Sequence, residues 1–212
     1  MHAAAPAATL GTLQDYLVRL YELDVTFRVE DFLLTDACVA QALEGESYRP
    51  LAEKLLLRES PAALELSVYL DPEVLQRLAA GAPLEDFWTA LEGVSHFLYL
   101  AWNAQHDRGV RAVELELQAE VDKYALTTLL GAGQAGLGAG EVHQLLFEHA
   151  RFDSRLNGAL LERYRDATRD AARYCLSLAR RFAGPEDPAR LRELRRFYRL
   201  DHCTKIRFIA EH

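Results

Sequence analysis

The chain has 212 residues, of which 50% are hydrophobic and 26% are charged, and its formal net charge at pH 7 is −8. This composition is typical of a globular protein and excludes a disordered or collagen-like chain. No apolar run reaches the roughly 18 uncharged residues of a membrane-spanning helix, and the alanine-rich start lacks the basic and leucine-rich regions of a secretion signal. Three widely spaced cysteines indicate neither a disulfide framework nor a zinc site. We therefore expect a cytoplasmic protein that does not enter a membrane.

Charge is distributed unevenly along the chain. Residues 1–150 hold 9 basic and 23 acidic side chains, a net charge of −14, whereas residues 151–212 hold 15 basic and 9 acidic ones, a net charge of +6. A basic segment can bind nucleic acid or a membrane surface, but it can also pack on the acidic remainder of its own chain. Acidic residues are interleaved with the basic ones, which favours packing.

The N-terminal region predicts helix and strand in alternation. Residues 12–15 resemble a capping box at the start of an amphipathic helix. Alternating apolar residues at 25–29 predict a short strand. Residues 30–45 then predict a second helix, which ends at a glycine.

Period-two alternation is clearest at residues 63–70, where leucine and valine alternate with polar residues and tyrosine. Together with residues 55–58, this segment predicts a small N-terminal β-hairpin. A helix capped by Ser60 is the alternative for 63–70. Asp71 followed by Pro72 then predicts the start of a short helix.

Residues 84–130 form the longest nearly uninterrupted apolar pattern of the chain, with a polar turn at 106–109. Apolar residues cover nearly the whole circumference of the first half, so we expect a buried helix that pairs with a second helix after the turn. The predicted fold class is mainly α, with a small β element and a helical bundle organised on an antiparallel helical hairpin at about 84–130.

A glycine-rich run follows at residues 131–140, and its first six residues match the GxGxxG pattern of dinucleotide-binding loops. That fingerprint requires a preceding strand, whereas residues 118–130 are helical in pattern. We interpret the run as a flexible connection between an acidic body, 1–130, and a basic helical segment, 141–212, that docks on the body as one domain. Helices are predicted in that segment at 141–155, 160–183 and 189–200.

A polar stripe stands out against the apolar background of the first central helix. It consists of Glu92, His96, Tyr99 and Asn103, at helical spacings of four, three and four. These spacings place the side chains on one face. If the next helix packs antiparallel about a turn near residue 108, Glu120 lies beside His96 and Glu116 completes the site. The candidate site is Glu92, His96, Tyr99, Asn103, Glu116 and Glu120.

Glutamates and histidines on facing helices are typical ligands of metal centres in helical bundles. The candidate ligands for a divalent transition metal are Glu92, His96, Glu116, Glu120 and His149. The pattern is incomplete for a di-iron site, which requires two Glu-x-x-His units. Two alternatives stay open: a buried polar network that fixes helix packing, and a general base in which Glu120 orients His96.

The last predicted helix carries arginines that could contact phosphate or a protein partner. They are Arg192, Arg195, Arg196 and Arg199. Phe197 and Tyr198 could stack on bases, although their helical spacing favours a place in the core.

No P-loop, HExxH sequence or Ser-His-Asp signature is present, so no catalytic motif of known mechanism can be completed. We expect a helical protein with a binding, regulatory or assembly role, acting through a protein partner or self-association. A metal-binding protein or metal-dependent enzyme that uses the Glu/His stripe is the first alternative. Nucleic-acid binding through the C-terminal arginines is the second.

Overall fold

The computed structural model describes residues 8–45, 49–60, 63–81, 83–134, 137–148 and 158–212. These residues form a mainly helical fold with a small three-stranded sheet, which confirms the prediction of a mainly α protein with a small β element. The helices are α1 (Leu10–Tyr21), α2 (Ala37–Glu44), α3 (Pro72–Ala79), α4 (Leu84–Gln105), α5 (Ala112–Gln134), α6 (Ala139–His143), α7 (Gly158–Arg181), α8 (Pro188–Tyr198) and α9 (His202–Glu211). The strands are β1 (Leu33–Leu34), β2 (Glu53–Ser60) and β3 (Ala63–Leu70).

The sheet is an antiparallel hairpin of β2 and β3, with β1 paired in parallel to the other side of β3. Residues 63–70 are therefore a strand, and the alternative helix capped by Ser60 is wrong. Val68, Tyr69 and Leu70 are all buried at the end of β3. Val68 lies against α4 at Gly93, and the burial of the intervening Tyr69 shows that both faces of the strand are covered here.

Residues 25–29 do not form the predicted strand. The side-chain amide of Gln14 satisfies their backbone instead: its Nε2 donates to Phe27 O at 2.7 Å, and its Oε1 accepts from Val29 N at 2.8 Å. A side chain of α1 therefore takes the place of a neighbouring strand. The segment continues into a 3₁₀ turn, Val29–Phe32, before β1 joins the sheet.

Side-chain caps fix the first three helices. Thr9 Oγ1 accepts from Thr12 N, so α1 begins earlier than the predicted capping box. Asp36 caps α2, so the helix predicted at 30–45 begins only after it. Asp71 caps α3, and Pro72 occupies the first helical position, as predicted.

Helices α4 and α5 lie at the centre of the fold. α4 contacts α1, α3, the sheet and α5, and every residue from 93 to 103 is buried. The contacts between α4 and α5 run in opposite directions along the two helices. Trp88 donates to Thr127 at one end, and Tyr99 donates to Glu114 towards the other.

The glycine-rich run is partly helical, so its interpretation as a wholly irregular connection is wrong. α5 extends to Gln134, and α6 begins at Ala139. The GxGxxG match therefore starts inside a helix and does not follow a strand. Gly131 is buried, and the packing of α5 on α7 outweighs the roughly 1 kcal/mol that a helix loses at each glycine.

In the C-terminal region α7 packs on α5, α8 packs on α1, and α9 packs on α7. The predicted final helix ends at α8, because Asp201 caps a separate helix, α9. After α6 the chain makes one π-helical turn, Gln144–Glu148. The rest of the helix predicted at 141–155 lies outside the described residues. Within the described ranges, no helix has the length and apolar content to cross a membrane.

Candidate metal centre

Helix α5 carries two largely buried polar stripes. One is formed by Glu116, Glu120 and Lys123, and the other by Glu114, Gln118 and Asp122. At 3.6 residues per turn, the two stripes lie about 200° apart around the helix axis. α4 supplies partners to both stripes, so the polar side chains of the core divide into two separate clusters.

The first, which we call the Glu/His cluster, consists of Glu53, Glu92, His96, Glu116, Glu120 and Lys123. His96 Nδ1 lies 3.3 Å from Glu53 Oε1, and His96 Nε2 lies 3.4 Å from Glu116 Oε2. These three side chains are only 5%, 8% and 10% exposed, in the order His96, Glu53, Glu116. Water therefore screens their interactions weakly.

Glu53 reaches His96 because the sheet approaches α4 closely at Gly93. A Cβ at Gly93 would lie 3.0 Å from Val68 Cγ1 and 3.2 Å from Glu53 Cγ. Gly93 and His96 are three residues apart and share a face of α4. The missing side chain at Gly93 thus leaves room for the first residue of β2 beside the imidazole.

Lys123 neutralises the other end of the cluster. Its Nζ lies 3.0 Å from Glu92 Oε2 and 2.8 Å from Glu120 Oε1. Burial opposes the charged form of Lys123, but Glu120 and Glu92 outweigh it and raise its pKa. Burial also acts to raise the pKa of Glu92, yet Lys123 holds that pKa below its ordinary value. For Glu120, burial prevails and raises the pKa.

The cluster contains more negative than positive groups. Four carboxylates face the Lys123 ammonium and one imidazole, so ionised carboxylates leave a net charge of about −2 even when His96 is protonated. Burial lowers the pKa of His96, but Glu53 and Glu116 outweigh it and raise that pKa well above its ordinary value. Burial raises the pKa of Glu53. Among the described residues the cluster therefore has more acidic than basic groups, and burial favours the neutral forms of Glu53 and Glu120.

The ligand atoms of the cluster converge around His96. Among the described residues, the buried His96 Nε2 has no hydrogen bond of good geometry, and its nearest acidic partner is Glu116 Oε2 at 3.4 Å. Ligand atoms of Glu53, Glu92 and His96 lie within 4.8 Å of one another. Atoms that bind a common ion at about 2.0–2.2 Å are at most about 4.4 Å apart, so small side-chain movements close this set around a cation.

The donors suit a divalent transition metal. Imidazole nitrogen combined with carboxylate oxygen is a typical ligand set for iron, manganese and zinc. Tyr164 of α7 lies close enough for Glu116 and Glu92 to raise its pKa, in addition to the larger effect of burial.

The second cluster, which we call the Asp122 network, contains Tyr21, Ser95, Tyr99, Glu114, Gln118, Asp122 and Lys205. Asp122 accepts from Tyr21 Oη, from Ser95 Oγ and from Gln118 Nε2. Lys205 Nζ donates to Tyr99 Oη at 2.9 Å and to Gln118 Oε1 at 2.7 Å. This network ties α9 to α4 and α5 and satisfies its own polar groups, as expected of a structural network.

The structure divides the predicted site residues between these clusters. Glu92, His96, Glu116 and Glu120 belong to the Glu/His cluster. Glu120 bonds Lys123, and Glu116 takes the place beside His96 that the sequence assigned to Glu120. Neighbouring contacts fit the assumed turn centre, since Glu92 meets Lys123 and Ser95 meets Asp122. Glu116 and Glu120 share one face of α5, and the ion pair with Lys123 takes Glu120 while Glu116, one turn earlier, lies beside His96.

Tyr99 and Asn103 do not join the Glu/His cluster. Tyr99 bonds Glu114 in the Asp122 network, and Asn103 Nδ2 donates to Tyr99 O within α4. Tyr99 is rotated by about 60° from His96 around the helix axis, toward Ser95, which also belongs to the Asp122 network, and Asn103 lies about 10.5 Å further along the axis. His149 lies outside the described residues.

The candidate phosphate-contacting arginines mostly have partners inside the chain. Arg195 Nε donates to Leu20 O, and Arg199 donates to Tyr21 O, both at 2.9 Å at the C-terminus of α1. Arg196 lies over the ring of Phe208, whereas Arg192 is exposed. Cations at a helix C-terminus bond its free carbonyl groups.

Sequence reasoning missed Glu53, Tyr164 and Lys205. Glu53 and Tyr164 come from β2 and α7, so only tertiary packing brings them to α4. Gly93 was the sequence feature that could have indicated a neighbour on this face of α4, because a glycine inside an apolar helix is typical of close approach by another segment. The Asp122 network had a clearer signal, since Glu114, Gln118 and Asp122 repeat every four residues.

No protein-family model, curated protein or solved structure matches the chain. Evidence for a function therefore comes from the geometry and charge of its own side chains.

Proposed function

We propose that the protein binds one divalent transition-metal ion in the Glu/His cluster, with Glu53, Glu92 and His96 as ligands and Glu116 beside them. The observation that carries the proposal is the convergence of one ligand atom each from Glu53, Glu92 and His96 within 4.8 Å of one another. His96 and Glu53 are almost fully buried there, and the imidazole lies between the carboxylates of Glu53 and Glu116.

The charge of the cluster supports the same proposal. A divalent cation compensates the excess negative charge and replaces the proton that Glu53 and Glu116 hold on His96. The ion would connect β2 to α4, next to α5, so that binding also stabilises the fold.

Lys123 limits the site to one ion. In dinuclear carboxylate centres, a second cation is held between glutamates of facing helices. The ammonium of Lys123 lies between Glu92 and Glu120, where such an ion would otherwise be bound. The proposal is therefore a mononuclear centre.

The other functions predicted from the sequence stay predictions. Binding, regulatory or assembly roles are compatible with a metal-stabilised helical protein. Nucleic-acid binding has less support, because Arg195 and Arg199 are bonded to carbonyl groups of α1.

Elemental analysis tests the proposal. The full chain, purified without chelator, incubated with Mn²⁺, Fe²⁺ or Zn²⁺ and desalted, is expected to retain about one equivalent of one of these metals. His96→Ala is expected to retain less than about a tenth of an equivalent, whereas His106→Ala, an exposed histidine at the end of α4, retains the wild-type amount. Circular dichroism establishes that both variants are folded. Metal-free wild type, or equal retention by His96→Ala, contradicts the proposal.

A further inference from the structure

A cavity of 80 Å³ lies between α5, α7 and the start of α8. Leu178, Ala179 and Phe182 contribute to its largely apolar wall. Arg190 of α8 also lines it and is only 3% exposed. The cavity is thus a largely apolar pocket with one cationic group, and none of the residues that line it belongs to the Glu/His cluster.

The charge of Arg190 has no negative partner in the described ranges of the chain. Its guanidinium donates to Pro185 O at 2.7 Å and to Thr128 Oγ1 at 2.9 Å, and both acceptors are neutral. Cys175 does not compensate it, because burial raises the pKa of that thiol and keeps it uncharged. The Tyr124 ring centroid lies 5.8 Å from Arg190 Cζ. A guanidinium has five N–H donors, so three form no hydrogen bond with the described residues.

A buried charge without a counter-charge is costly, and proteins keep such groups mainly where a ligand or partner compensates them. Burial also lowers the pKa of Arg190, which reflects the same cost. We propose that this cavity binds a small aliphatic carboxylate, with the carboxylate paired to Arg190 and the hydrocarbon chain against Leu178 and Phe182.

The size and lining of the cavity define this class of ligand. An apolar cavity of about 150 Å³ accommodates benzene, which has six heavy atoms, so 80 Å³ encloses about three heavy atoms. The pocket is partly open, so the carboxylate enters it and the end of a short chain extends to the surface. Phosphate and sulfate present more oxygens than the cavity can satisfy. The hydroxyl of Thr128 already donates to Ala125 O, so Arg190 is the main donor. A guanidinium matches the two oxygens of a carboxylate.

Equilibrium dialysis of the full chain against radiolabelled butyrate tests this proposal. We expect saturable binding at one site, with a Kd of about 1 mM or tighter, as is reached by ligands of this size. Unlabelled propionate should compete, whereas butanol and inorganic phosphate should not. No saturable binding up to about 10 mM butyrate would overturn the proposal. Competition by phosphate as strong as that by propionate would also overturn it.

Two variants locate the site. Arg190→Met should weaken butyrate binding at least about tenfold, because it removes the charge and retains much of the volume. Arg192→Met, on the exposed face of the same helix, should bind as wild type does. Ala179→Leu keeps Arg190 and fills the chamber, so it should also weaken binding, and it decides the question if Arg190→Met does not fold. Wild-type affinity in Ala179→Leu, or in a folded Arg190→Met, contradicts the assignment.

Discussion

Lys205 is an ammonium group in a fully buried position, and its hydrogen-bond partners are the neutral Tyr99 hydroxyl and Gln118 amide. Burial lowers its pKa from 10.5 to about 7, although the charges of Glu114 and Asp122 act in the opposite direction. Burial raises the pKa of Asp122 to about 6. The Asp122 network is therefore sensitive to pH near neutrality.

The Lys205→Met variant should change how stability depends on pH. Between about pH 7 and 10 the unfolded wild-type chain holds a proton on Lys205 that the folded chain has released, so wild-type stability rises with pH. We expect the free energy of unfolding of wild type to gain about 1 kcal/mol per pH unit relative to Lys205→Met over this range. Urea unfolding at several pH values measures it. Parallel pH profiles for the two proteins would show that Lys205 keeps an ordinary pKa.

Lys123 should contribute strongly to stability because its removal leaves two buried carboxylates. Lys123→Met is expected to lower the free energy of unfolding at pH 7 by about 3–5 kcal/mol. Arg169→Met is the control, because Arg169 forms an ion pair with Asp166 in which both side chains are more than half exposed. That pair should contribute less than about 1 kcal/mol. Equal losses in urea unfolding would contradict the burial of the Lys123 pair.

At the scale of elements, Gly93 fixes the distance between α4 and the sheet. In Gly93→Ala, the contact of the new Cβ with the buried Val68 and with Glu53 should cost more than the roughly 1 kcal/mol that alanine gains in a helix. We expect a net loss of about 1–2 kcal/mol in urea unfolding, together with weaker metal binding. Gly140→Ala in α6 is the control, since no heavy atom lies within 4 Å of its added Cβ. If Gly93→Ala is as stable as wild type, the sheet moves away from α4 to accommodate the new Cβ, and the prediction is wrong.

Local chemistry explains which elements were predictable from the sequence. The cap of Asp71 on α3 and the alternation of 63–70 depend on neighbouring residues, so both predictions are confirmed. The prediction of a strand at 25–29 is wrong because the side chain of Gln14, in α1, bonds the backbone groups that a neighbouring strand would otherwise bond. The interpretation of the glycine-rich run is wrong at its start, because the packing of α5 outweighs the low helix propensity of glycine.

At the scale of the whole molecule, the candidate site could be predicted only in part. Helical spacing brought Glu92 and His96 to one face, and antiparallel packing brought residues of the second central helix close to them. The acidic residue beside His96 is Glu116 and not Glu120, one turn of α5 away, because Lys123 pairs with Glu120, and spacing alone does not show which glutamate an ion pair will take. Glu53 depends on a contact 43 residues distant in sequence, which no local pattern encodes.

The charge asymmetry also has its explanation in tertiary contacts. Arg195 and Arg199 bond the C-terminal carbonyls of α1, while Lys205 enters the Asp122 network between α4 and α5. Basic side chains of the C-terminal segment therefore stabilise its packing on the acidic remainder. The division of the chain into a body, a connection and a docked segment stays a prediction.

Cobalt titration of the metal-free full chain tests the mononuclear centre most directly. Absorbance in the visible region reports coordination of Co²⁺, and an unbuffered sample reports protons released at the same time. Because the pKa of His96 is raised well above its ordinary value, binding near neutral pH should release a proton as the imidazole becomes a ligand. We predict an absorbance change that ends at one equivalent, with proton release, and neither in His96→Ala. No absorbance change in wild type, an end point at two equivalents, or an unchanged titration in His96→Ala would contradict the assignment.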